Sequence, residues 1–139
     1  MFSARLNEIV LYSAPTFEAR DIAPSTVPDL FGAGSVGTLA VWNGASDGTV
    51  FGAANVNHAF RAWHDSLHLA TRIGFTVAEE IELGRRQAEL VARLSGDRLA
   101  TLVWLEVAGQ AAEFQRTGAF VSDQVAFTES ELKRLGVCP

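Results

Sequence analysis

The chain has 139 residues, 48% of them hydrophobic, enough apolar surface for one core and a single domain. The formal net charge is -5, and of the 11 Lys and Arg residues only Lys133 is a lysine, which argues against nucleic acid as a partner. The single cysteine, Cys138, excludes an intrachain disulfide and finger-type thiolate metal sites, and a reducing, cytoplasmic setting is expected.

Met1 to Val10 is interrupted by Arg5, Asn7 and Glu8 and does not resemble a signal peptide, and no apolar run approaches the roughly 18 to 20 residues of a spanning helix. From Arg5 to Ser13 the run Ile9-Val10-Leu11-Tyr12 reads as a strand or arm. Pro15, Pro24 and Pro28 then break any long element, and residues 14–37 are expected as loop or short turns. Between Gly37 and Gly52, two β-prone segments flank Asn43-Gly44 and Asp47-Gly48, which predicts a hairpin. Gly32 to Gly37 matches the glycine spacing of a dinucleotide fingerprint. The strand-like TLAVW comes next, however, where that motif needs a helix, so a plain loop is expected.

A helix comes after it, with Asn55 or Asn57 as N-cap, Phe60, Trp63, Leu67 and Ala70 on its apolar stripe, and Gly74 as its stop. Thr76 and Glu79 have capping-box spacing and open a second helix to about Leu94. Ser95-Gly96-Asp97 turns into a third helix from about Arg98 to Thr117, ended by Gly118, and Thr128 to Glu131 forms a second capping box before a last helical turn or two. The predicted fold is α+β and mainly helical, an N-terminal β-hairpin packed on three principal helices, with residues 1–53 strand- and loop-rich and 54–139 helical.

The first of those helices carries Trp63-His64-Asp65-Ser66-Leu67-His68. Residues four apart on a helix lie about 40° apart around its axis, so both imidazoles can reach one point, as two zinc ligands do. The competing reading puts both histidines on a solvated flank, away from the apolar stripe. Two other helices interrupt their own stripes with polar groups: Glu80 and Gln87 beside Leu83, Leu90, Val91 and Leu94, and Glu106 and Gln110 beside Leu99, Leu102 and Val103. A buried unpaired carboxylate costs several kcal/mol, so Glu80 and Glu106 are expected to meet a cation: a metal, or one of Arg61, Arg72, Arg85 and Arg86. Asp65 is a candidate third ligand, general base or orienting acceptor, or a plain surface residue; His58 reads as a neighbour of the helix cap. Trp42, Trp63 and Trp104 are expected as core anchors.

The blocks VWNGASDGTVFG, NHAFRAWHDSLH, GFTVAEEIELGRRQ and EVAGQAAEFQRTGAFVSDQVAF resemble a family of small proteins common in tailed-bacteriophage genomes. That resemblance implies a phage or prophage origin and expression in the host cytoplasm, and it names no reaction. A fainter likeness is to zinc peptidases with H-E-x-x-H on a helix. Here Asp65 stands where their glutamate stands, which puts peptide hydrolysis in doubt. The His-Asp pair is also similar to that of HD-type phosphohydrolases, whose further blocks are missing.

The expected chemistry is hydrolysis at one divalent metal, zinc for preference, on His64 and His68 with Glu80 or Glu106. Asp65 and Glu80 are the catalytic candidates, and Gln87, Glu106 and Gln110 the binding ones. The alternatives are a non-catalytic phage protein that inhibits or redirects a host protein, and a virion or assembly component.

Overall fold

Ser3 starts the first element by accepting a hydrogen bond from the Leu6 amide at its side-chain oxygen, which caps α1 (Ala4–Ser13). Leu6, Ile9 and Val10 share one helical face and are buried, while Leu11 and Tyr12 are 51% and 92% exposed. The strand or arm expected here is therefore a helix: the β-prone run is divided between two faces, and only the cap and the 3.6-residue spacing reveal it. The computed structural model describes residues 2–33 and 38–137. They fall into two compact units that divide after Phe75. The helix bearing the histidines thus joins the strand pair, although the sequence groups it with the later helices.

In the first unit, β1 (Phe17–Arg20) and α2 (Val27–Ala33) stand within the loop expected over 14–37, and β2 (Leu39–Trp42) lies in the β-prone segment expected after Gly37. The strands pair in parallel, with Phe17 opposite Leu39 and Arg20 opposite Trp42. The expected hairpin is not found among the described residues: β2 pairs with the earlier strand, and Asn43 to Gly48 lead into no further strand. Arg61 explains the difference, since its guanidinium donates to the carbonyls of Trp42, Gly44 and Ala45 and holds the turn against the next helix. Gly44 is required there, because a Cβ would collide with the Trp42 ring. Beyond the turn, Val50 and Phe51 are buried without forming a strand. Gly34 to Gly37 lie outside the described residues, so the fingerprint is seen only in part; the next element in the chain is the strand β2, as expected, and not a helix.

α3 (Ala54–Thr71) begins at Ala53, which makes no side-chain cap; Asn57, expected as a cap, is buried and donates to Ser46 Oγ. Val56, Ala59, Phe60 and Trp63 form its buried stripe, and Ala70 lies outside it, exposed. Leu30, Leu39, Val41 and Ala62 form the adjoining core, with Phe17, Phe31, Leu69 and Phe75 packed around them. The helix ends at Arg72 in the left-handed region, two residues before the glycine expected to stop it.

In the second unit α4 (Val77–Ser95) opens on the predicted capping box: Thr76 Oγ1 accepts from the Glu79 amide, and the Glu79 carboxylate accepts from the Thr76 amide. Its buried face is Leu83, Gly84, Gln87, Ala88 and Val91, whereas Leu90 and Leu94, expected on it, are 40% and 60% exposed. The expected third helix is interrupted in its middle. α5 (Asp97–Trp104) runs through a π-helical turn, Leu105–Gly109, into α6 (Gln110–Thr117). This turn packs against α4 at Gly84, where a Cβ would come within 3.0 Å of the Ala108 amide and the Val107 side chain. α7 (Gln124–Leu135) starts at Asp123, whose carboxylate accepts from the Ala126 amide. The second capping box is thus absent as a helix start, and Thr128 lies buried in mid-helix. Of the tryptophans, Trp63 is buried, Trp104 half-buried and Trp42 49% exposed beneath the Arg61 guanidinium, so Trp42 is not a core anchor.

Candidate functional site

The last two turns of α3 bring the histidines together. His68 is 1% exposed, which removes the solvated-flank reading for it, and His64 is half-buried one turn earlier. The two Nε2 atoms lie 3.0 Å apart, and the rings meet edge to face with centroids at 4.7 Å. On its other edge His68 Nδ1 lies 2.9 Å from the Ile73 carbonyl oxygen, and Phe75 packs edge-on against the ring at 4.7 Å.

These contacts assign the protons. A carbonyl oxygen only accepts, so His68 Nδ1 carries the hydrogen, and the neutral ring has its lone pair on Nε2. Against that lone pair His64 is the donor in the tautomer that carries its hydrogen on Nε2. Two nitrogens bound to one tetrahedral zinc at ordinary Zn–N lengths lie about 3.3–3.4 Å apart, so the pair would need to open by only a few tenths of an ångström. Moving the His64 hydrogen from Nε2 to Nδ1 would free the second lone pair without releasing a proton from either ring.

Glu80 is half-buried in the first turn of α4. One ligand atom from each of His64, His68 and Glu80 lies within 4.8 Å of the others. No other His, Cys, Asp or Glu among the described residues joins this group, so Glu106, the alternative third ligand, is not part of it, and neither is Asp65. Asp65 is half-buried beside His64 rather than on the open surface.

The binding candidates belong to the second unit. Gln87 is fully buried on the α4 face that packs on the π-helical turn, Glu106 lies within that turn, and Gln110 comes directly after it. The Gln110 side-chain nitrogen and the Thr128 hydroxyl are buried with no hydrogen-bond partner among the described residues. Two arginines considered as partners for the inner carboxylates bond elsewhere: Arg85 to Glu82 and Glu89, and Arg86 to Glu82. Those hydrogen bonds lower the Glu82 carboxyl to about 2 from its ordinary 4.5. His58 donates from Nε2 to the Asn43 carbonyl and so secures the turn after β2 rather than a site.

Sequence reasoning missed the Ile73 carbonyl, the Phe75 wall and the π-helical turn. The first is a backbone atom placed by a left-handed residue, for which Arg72 offers no signal; the last shows only as buried residues at 102, 103, 105, 107 and 108, a pattern no single helical period fits. No known protein family, curated protein or solved structure matches the chain.

Proposed function

We propose that this chain holds one divalent metal on His64, His68 and Glu80 and uses it for hydrolysis. The observation that supports this best is the imidazole pair, whose Nε2 atoms lie 3.0 Å apart, together with a Glu80 carboxylate oxygen in a group of ligand atoms that all lie within 4.8 Å of one another. Two imidazoles and one carboxylate suit zinc and leave a fourth position for water or substrate, as in catalytic zinc sites. Zinc bound there would acidify a water and polarise a substrate oxygen. Asp65, next to His64 in the chain, is the proposed proton acceptor. Glu106 and Gln110 are the proposed substrate-binding residues, a carboxylate and an amide that suit a small polar substrate, whereas Gln87 is fully buried in the helix packing.

Elemental analysis of the protein purified without an affinity tag tests the reading. Near-stoichiometric zinc, lost in the His64→Ala/His68→Ala double variant, is expected. No metal, with thermal stability unchanged by chelator, would sink it.

That negative result would favour a second reading, a non-catalytic phage-type protein that binds a host protein. Its support is a groove of about 390 Å³ in the second unit, lined by Ala88, Ala92, Ala100, Trp104 and Leu135 together with charged residues such as Arg85 and Asp97. No helix among the described residues is long and apolar enough to cross a membrane, and a place in the host cytoplasm is part of the proposal.

A further inference from the structure

The turn that ends α3 is bonded in a way that bears directly on His68. Thr71 donates its hydroxyl to the Leu67 carbonyl at 2.7 Å and accepts a longer bond, 3.4 Å, from the Ile73 amide. Between them Arg72 takes φ 60° and ψ 21°, a left-handed conformation unfavourable for a non-glycine residue, and its amide donates to the His68 carbonyl. The Arg72 guanidinium lies 5.1 Å from the Phe31 ring centroid, a cation–π contact that anchors the strained residue to α2. The chain therefore leaves the helix by a reversed turn, and that reversal brings the Ile73 carbonyl back to His68 Nδ1.

We infer that Thr71 and Arg72 are positioning residues for the proposed metal ligand His68: the turn they hold presents the Ile73 carbonyl, which selects the His68 tautomer with its hydrogen on Nδ1 and its lone pair on Nε2, the nitrogen that faces His64. The inference rests on the proposed metal reading for its purpose, but the tautomer it sets exists without metal. Strain held at Arg72, next to a candidate site, fits a positioning role. An imidazole ligand is generally fixed by a hydrogen bond from its other nitrogen, and losing that bond costs roughly 10–100-fold in metal affinity.

The test uses nitrogen-15 NMR of the histidine side chains in the metal-free full chain, and then zinc titration. In the unaltered protein His68 Nδ1 is expected to give a protonated-type signal and Nε2 an unprotonated one. Thr71→Val keeps the shape and removes both hydroxyl bonds; the two His68 signals are expected to move toward each other and zinc affinity to fall roughly 10–100-fold. Thr71→Ser is expected to restore both readouts. Arg72 supplies an independent pair: Arg72→Gly keeps the left-handed turn and the tautomer, whereas Arg72→Val opposes the turn and loses it. Unchanged His68 signals in both Thr71→Val and Arg72→Val would overturn the inference. If the signals track the turn but the unaltered protein takes up no zinc, the positioning role stands and the metal reading falls.

Discussion

In the first unit, single side chains reach across many residues to backbone carbonyls: Arg61 to Trp42, Gly44 and Ala45, Asn7 to Phe51, His58 to Asn43. In the second, the charged side chains bond within their own helix, as in Arg85 with Glu82 and Glu89 or Arg116 with Glu113, and the interior is made by Leu83, Val91, Leu102 and Val103. Order in the first unit is concentrated in a few donors, so removing one frees a whole turn. Order in the second is spread over helix faces, where the loss of any surface ion pair is small.

The largest effect expected in the second unit is from its core. Leu83 is fully buried, and Leu83→Ala is expected to cost about 2–5 kcal/mol, read from the urea midpoint at constant slope. Arg61→Ala removes three carbonyl acceptors' donor at once and is expected to cost roughly 2–3 kcal/mol, charged hydrogen bonds being the strong ones. A cost below that of a helix cap would break the contrast between the units. The cap supplies the scale: Thr76→Ala deletes one side of a satisfied capping box and is expected to cost about 1 kcal/mol by the same measurement.

The smallest effect concerns acid. Glu82 has a folded-state value of about 2, below its ordinary 4.5, so the fold favours its ionised form. The stabilisation is present above about pH 4.5 and is lost as pH falls toward 2. Glu113, lowered by Arg116, adds in the same direction. Glu82→Gln is expected to flatten the urea midpoint against pH in that window slightly, since the pair is exposed. A steep loss on acidification that survives this change would place the acid-sensitive groups elsewhere.

The elements legible in the sequence are those whose signals are local. Thr76 and Glu79 mark the start of α4 because both bonds of the cap lie within three residues, and Gly118 marks the end of α6 for the same reason. The His64 and His68 pair is legible because a helix places residues four apart on one side. The parallel pairing of β1 with β2 is not, since it joins residues 22 apart through a segment containing α2, and the adjacent Asn-Gly and Asp-Gly turns point to a closer partner. α1 is misread where a run of β-branched and aromatic residues outweighs a short helix's periodicity, and burial of Leu6, Ile9 and Val10 decides the matter.

Spacing, capping and composition by themselves determined a mainly helical α+β chain, the main helical stretches and a pair of imidazoles able to converge. Only the tertiary structure decided that His68 is buried, that its Nδ1 meets the Ile73 carbonyl, that Glu106 is not among the residues grouped with His64 and His68, and that the third long helix contains a π-helical turn. The physical reason is range. Caps and helical faces are set within a turn or two of chain, whereas burial and the choice among distant carboxylates depend on which surfaces pack, and no local pattern encodes that choice.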